Sequence, residues 1–273
     1  MTHIKKWSIL MYGPFTFYKK YGNLYHMTHD FYIYGRNAIL EQLQNNPKNL
    51  KRIIIKDGLK DRAFEEIRKL AQANRIPVES ADEKTIVKLL RDEVSHQGII
   101  ALSKPFEYTN FDEWTATLDL GQLPTVLILD HIQDVSNLGA IIRSATAAGV
   151  DAIIVAELNQ APITSAVYKT SAGTVGIIPV IQVGNLNQII EKLKKKEFWV
   201  VGLGMGGETD VWGYKFDTPT AIVIGGEGDG MREKTGEHCD VILSIPMMNG
   251  VESLNASVTS AIVCYEIMRQ RKG

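Results

Sequence analysis

The spacing of apolar residues changes character along the chain. Over residues 31–103, apolar positions recur every three to four residues in "GRNAILEQLQ" (35–44), "RAFEEIRKLAQANR" (62–75) and "EKTIVKLLRD" (83–92), which predicts three helices. Between them "KRIIIK" (51–56), "IPVES" (76–80) and "GIIALS" (98–103) predict short strands. Alternating helix and strand implies a sheet covered by helices. From residue 125 onward the apolar runs are continuous: "TVLIL" (125–129), "DAIIVA" (151–156), "IIPVIQV" (177–183), "FWVVGL" (198–203), "TAIVIG" (220–225) and "VILSIP" (241–246). Runs without alternation suit strands buried on both faces of a mainly parallel sheet. Helical runs lie between several of them, and "ASVTSAIVCYEIMRQ" (256–270) predicts a closing helix.

This pattern divides the chain into two α/β domains, residues 30–104 and 125–273. Residues 105–124 have weak periodicity, are bracketed by Pro105 and Pro124, and read as a linker or edge segment. Residues 1–29 read as an N-terminal extension, either non-native or disordered. They are aromatic-rich and broken at Gly13-Pro14. Their apolar stretch is flanked by lysines and lacks a small-residue cleavage site, which argues against a secretory signal. "MTH" occurs at 1–3 and again at 27–29, so Met27 is taken as the natural start and the first 26 residues as an upstream extension.

Composition adds a soluble globular character, with 45% hydrophobic and 22% charged residues. No apolar run approaches the roughly 20 residues needed to cross a bilayer, so no membrane partner is expected. Cys239 and Cys264 imply no disulfide framework and fit a reducing cytoplasm. The six histidines are scattered, and no metal is expected. Charge is uneven. Residues 1–104 carry 18 Lys/Arg against 11 Asp/Glu, whereas residues 126–273 carry 12 against 16. A basic N-terminal part on a mildly acidic body suggests a module that binds a polyanion such as nucleic acid. The plainer reading is that the basic residues solvate helix faces.

In parallel sheets, ligands bind beyond the carboxyl ends of the strands. Four such ends stand out: "LDHIQDVSNLGAIIRSATAAG" (129–149), "VGLGMGGETD" (201–210), "IGGEGDGM" (224–231) and "IPMMNGVESLN" (245–255). In the first, Asn137 and Gly139 are read as preceding a helix that carries Arg143 in its opening turns. In the second, Gly202, Gly204 and Gly207 spell GxGxxG after a strand, a pattern shared with dinucleotide sites. A nicotinamide enzyme needs a helix opening at the third glycine, because that end holds the pyrophosphate. The residues that follow have no helical period, so this reading fails. In the last, Ser253 and Asn255 sit where a helix should begin, and capping is the simplest account of them.

Taken together, "NLGAIIRSATAAG", "GGEGDGM" and "IPMMNGVESLNASVTSAI", in that order and at those separations, resemble the SpoU (TrmH-type) class of SPOUT RNA 2′-O-ribose methyltransferases. Asn137 and Arg143 match the first motif, Glu227 the second, and Ser253, Leu254 and Asn255 the third. The match covers residues 125–271. Residues from "YGRNAILEQL" to "SHQGIIAL" resemble the family's ribosomal-protein-like RNA-binding domain.

The resemblance implies an α/β fold whose C-terminal part is tied into a trefoil knot around a mainly parallel sheet. It also implies a homodimer with its cofactor pocket near the subunit interface. The implied reaction moves a methyl group from S-adenosyl-L-methionine to a ribose 2′-hydroxyl of structured RNA. A guanosine of 23S rRNA is the expected target, with a tRNA ribose, or a catalytically silent RNA-binding protein of the same fold, as alternatives. The backbone of Gly204, Gly226, Ile245 and Leu254 is implied to hold the adenosine. Ser253 and Asn255 would fix the nucleotide and the motif loop. Arg143 is the implied catalytic residue. An arginine is a poor base, so its role reads as gripping phosphate and stabilising the alkoxide as it forms. Glu227 would orient Arg143 or anchor a loop, and Asn137 would order the loop beside Arg143 or simply cap the helix. Candidate RNA contacts are Arg36, Lys51, Arg52 and Lys56.

Overall fold

The computed structural model describes residues 8–12, 15–20, 23–28, 30–59, 62–91, 94–207, 209–226 and 230–272, without the side chains of residues 8–28 and of Ala63. The chain divides into two compact units, residues 1–106 with 162–169, and residues 107–161 with 170–273.

The first unit begins with three antiparallel strands, β1 (Ser8–Tyr12), β2 (Phe15–Lys20) and β3 (Asn23–Thr28). A four-stranded mixed sheet follows, built from β4 (Phe31–Tyr34), β5 (Leu50–Lys56), β6 (Val78–Ala81) and β7 (Ile99–Ser103) in the order β4-β7-β5-β6. Its helices are α1 (Arg36–Asn45), α2 (Arg62–Ala73) and α3 (Glu83–Leu90). On one face Tyr32, Tyr34, Ile54 and Ile100 enclose Ile86 of α3. The β5–β7 register shifts between Leu50 and Arg52, so Lys51 stands at an irregularity and is exposed. A bulge leaves its extra residue outside the ladder.

The second unit contains α4 (Phe111–Ala116), β8 (Thr125–Asp130), α5 (Val135–Ala147), β9 (Ala152–Ala156) and, after α6 (Ser165–Thr170), β10 (Val180–Val183) and α7 (Leu186–Lys194). It continues with β11 (Trp199–Leu203), β12 (Thr209–Asp210), β13 (Thr220–Gly225), α8 (Glu233–Gly236), β14 (Val241–Ser244) and α9 (Ala256–Lys272). Seven strands form one sheet, β10-β9-β8-β13-β11-β14-β12, and every pairing in it is parallel. The unbroken apolar runs are explained by cover on both faces. Val126 and Ile128 pack with Phe111, Trp114 and α7 on one side. Pleating turns Leu127 and Leu129 to the other side, where α9 packs on α5 and β13.

Two local differences from the sequence reading have simple causes. Residues 105–124 contain α4, whose Phe111 and Trp114 enter the core, and Asn110 caps it by accepting from the N–H groups of Asp112 and Glu113. One turn and a half is too short to register as periodicity. Helix α5 begins at Val135, so Asn137 and Gly139 lie inside it rather than before it. The cap is Asp134, whose Oδ1 accepts from the N–H groups of Ser136 and Asn137, both at 2.8 Å.

Candidate active site

Beyond the carboxyl ends of β11, β13 and β14 lies a cavity of about 700 Å³. Its walls come from three loops and the head of α9. Gly204, Gly226, Ile245 and Leu254, the four positions expected to hold adenosine, all line it. After β13, Gly226 and Gly230 are paired in an isolated antiparallel bridge. A Cβ on Gly225 would lie 2.1 Å from the backbone nitrogen of Met231, so no other residue fits that turn. The volume falls within the range of small-molecule and cofactor sites.

The loop after β11 disposes of the dinucleotide pattern. The structure after Gly207 is the short strand β12, parallel to β14, and not a helix. A Cβ on Gly207 would meet the Ile242 carbonyl oxygen at 2.5 Å. Gly207 is therefore required by close packing against β14.

Ser253 and Asn255 also line the cavity. Asn255 caps α9, its Oδ1 accepting from the Ser257 N–H at 2.9 Å. Its Nδ2 donates at the same time to Asn137 Oδ1 at 3.0 Å. Capping and site-building thus coincide in one side chain, and the bond ties the head of α9 to the first turn of α5. Arg143 stands farther along α5, exposed, and is not part of the cavity wall. Glu227 lies outside the described residues.

Sequence reasoning missed an ion pair at the rim. Asp130 ends β8 with a side chain that is 0% exposed. Its Oδ1 accepts from Arg232 Nε at 2.8 Å and from Nη2 at 2.7 Å, and its Oδ2 from the Arg232 N–H at 3.1 Å. His131 Nδ1 is also 2.7 Å from Oδ1 and donates to it, because an ionised carboxylate only accepts. Burial alone would push the Asp130 carboxyl up, but the bonds from Arg232 and His131 outweigh it and hold the group below the ordinary carboxylate range. The one sequence signal was a carboxylate closing an otherwise apolar run.

The four candidate RNA contacts do not form one patch of free charge. Arg36 opens α1 with its guanidinium over the Phe64 ring, 5.8 Å from the centroid. Arg52 donates to Tyr32 Oη at 3.0 Å and pairs with Glu79 at 3.2 Å. The Tyr32 bond is the largest of the effects that raise its pKa above the ordinary arginine value. Lys56 pairs with Glu83 at 2.9 Å. Lys51 is exposed and has no ion-pair partner among the described residues. No group of three or more His, Cys, Asp or Glu among the described residues is arranged to hold a metal. No described helix is long and apolar enough to cross a membrane.

Residues 124–265 match the SpoU rRNA Methylase family, and residues 32–109 match the RNA 2′-O ribose methyltransferase substrate-binding family. The chain belongs to the SpoU family of RNA 2′-O-ribose methyltransferases. A Staphylococcus saprophyticus protein assigned to the TrmH family of tRNA/rRNA methyltransferases is 40% identical over 240 residues, covering 88% of this chain and 95% of that one. A solved RNA 2′-O ribose methyltransferase superposes with a TM-score of 0.72 at 25% identity, covering 90% of both chains. The SpoU methyltransferase AviRb from Streptomyces viridochromogenes, in complex with the cofactor AdoMet, shares the fold with a TM-score of 0.72 at 23% identity, covering 89% of this chain and 91% of that one. Family membership makes this SpoU chain an S-adenosylmethionine-dependent enzyme with an N-terminal substrate-binding domain, as the motifs implied. It does not distinguish tRNA from rRNA.

Proposed function

We propose that this SpoU enzyme methylates the ribose 2′-hydroxyl of a guanosine in 23S rRNA, acting as a cytoplasmic homodimer with a knotted C-terminal domain. Residues 30–104 would bind the RNA, residues 105–124 link the domains, and residues 125–273 carry the transfer. The observation that carries the reading is the Asn255–Asn137 bond, which joins the third motif to the first at the edge of a cofactor-sized cavity.

In this reading the backbone of Gly204, Gly226, Ile245 and Leu254 holds the adenosine. When bound, S-adenosylmethionine supplies the electrophilic methyl group. Ser253 fixes the target nucleotide, and Asn137 with Asn255 keeps α5 and α9 in register beside it. Arg143 grips the RNA phosphate and stabilises the alkoxide as the proton leaves. Glu227 anchors its loop or orients Arg143. Arg143 lies outside the wall of its own chain's cavity, and a pocket near a subunit interface reconciles that position with a catalytic role. Val258 and Tyr265, exposed on α9 where it packs on α5, give that neighbourhood an apolar face suited to a second copy.

The test supplies tritiated S-adenosylmethionine with unmethylated 23S rRNA or tRNA transcripts, followed by nucleoside analysis. Label in 2′-O-methylguanosine from 23S rRNA is the expected result. Label only from tRNA keeps the chemistry and overturns the substrate.

A further inference from the structure

The methyl donor is more than an adenosine. Its methionyl end carries a carboxylate, and none of the residues assigned above meets it. Among the described residues of the cavity wall there is one cation, Arg232, and one anion, Glu252. The remainder are neutral. Arg232 is also the most firmly positioned charged group there. Its Nε, Nη2 and backbone N–H all bond to the buried Asp130, which itself receives the bond from His131. Its side chain is nevertheless 51% exposed, and its Nη1 has no partner among the described residues.

We propose that Arg232 binds the methionyl carboxylate of S-adenosylmethionine, with Asp130 and His131 as positioning residues. The inference rests on the cofactor reading of this cavity. A guanidinium presents five N–H groups in a planar fork. Asp130 uses one edge of that fork, and Nη1 together with the second hydrogen of Nη2 remains for another carboxylate. The Asp130 bonds also fix the side chain before the ligand arrives, so little rotamer entropy is lost on binding. Arg232 shares its wall with the four backbone positions assigned to adenosine. The cofactor's own carboxylate is therefore the anion within its reach, rather than a phosphate of bound RNA.

Calorimetry on the full chain tests this with three ligands: S-adenosylmethionine, its decarboxylated analogue, and 5′-methylthioadenosine, which lacks the amino-acid end. Wild type is expected to bind S-adenosylmethionine about ten- to a hundredfold more tightly than the decarboxylated analogue, the scale of a charge-assisted bond. Removing Arg232 alone would strand a buried carboxylate and threaten the fold. The variant is therefore Asp130→Asn combined with Arg232→Met, with Arg232→Lys as the conservative control. In the double variant the preference for the carboxylate should fall to about twofold or less, with methylthioadenosine affinity unchanged. Arg232→Lys should keep part of the preference. Full preference in the double variant would overturn the proposal, as would an equal loss for all three ligands, which marks a purely structural role. Failure of wild type to bind S-adenosylmethionine would overturn the cofactor reading itself.

Discussion

The carboxyl ends of β11, β13 and β14 and the basic strand β5 were both singled out from sequence, and they differ in how charge is used. Around the cavity the decisive charged pair, Asp130 and Arg232, is separated by 102 positions and anchored by a buried carboxylate. On β5, Arg52 and Lys56 meet Glu79 and Glu83 on half-exposed neighbouring elements. In the parallel sheet, topology delivers the strand ends to one edge, so Gly204, Gly226, Ile245, Ser253, Leu254 and Asn255, picked for their place beyond those ends, line one cavity. In the small mixed sheet, two of the three basic candidates on β5, Arg52 and Lys56, are already paired with carboxylates. A charge becomes informative only with its partner in view.

The largest effect that sharpens this contrast is expected at Arg143. Arg143→Ala should lower turnover about a hundred- to a thousandfold, the scale of removing one electrostatic stabiliser, while S-adenosylmethionine affinity stays within twofold. Single-turnover kinetics alongside calorimetry separates the two. Wild-type turnover in that variant would remove Arg143 from the chemistry. Next is Gly225→Ala, whose Cβ would press on the Met231 backbone. The loop must shift, and S-adenosylmethionine binding should weaken about tenfold or more. Unchanged binding would show that the loop after β13 does not shape the cofactor site.

A smaller effect distinguishes the two asparagines. Asn255→Ala removes the α9 cap and the Asn137 bond together, and should cost about 1 kcal/mol of stability as well as activity. Asn137→Ala leaves the Asp134 cap of α5 in place. It should lower activity while leaving the melting temperature nearly unchanged. The reverse pattern, a lower melting temperature with full activity, would make Asn137 structural.

How much of this was legible follows from distance along the chain. The long apolar runs of the second unit were readable because its central strands β8, β9 and β13 are buried almost throughout, so neither face breaks the run with polar positions. Strand β4, four residues of "FYIY", and strand β12, two residues, were too short to show a period. Asn255 was readable as a cap from its place before an apolar helix, but its bond to Asn137 spans 118 positions and has no local signature. The same holds for Arg271, whose guanidinium reaches the Leu123 carbonyl and the Thr125 and Thr220 hydroxyls far from it in sequence. Local chemistry identified the residues, and only the fold could supply their partners.

The smallest expected effect lies on β5 and tests the contrast most directly. Lys51 and Arg52 are adjacent and both cationic, yet only Lys51 is exposed and lacks an ion-pair partner among the described residues. If RNA is held by free cations, Lys51→Ala should weaken binding a few-fold, uniformly across sequences, and reduce the salt dependence of log affinity by about one unit of slope. Arg52→Ala should instead cost on the order of 1 kcal/mol of stability or less through the lost Tyr32 and Glu79 contacts, with the salt slope unchanged. Binding isotherms over a range of potassium chloride concentrations, paired with denaturant unfolding, read both quantities. A salt slope that drops for Arg52→Ala and not for Lys51→Ala would mean that RNA displaces Glu79 on arrival. The intramolecular pairs of β5 would then belong to the unbound state only, and the distinction between the two regions would dissolve.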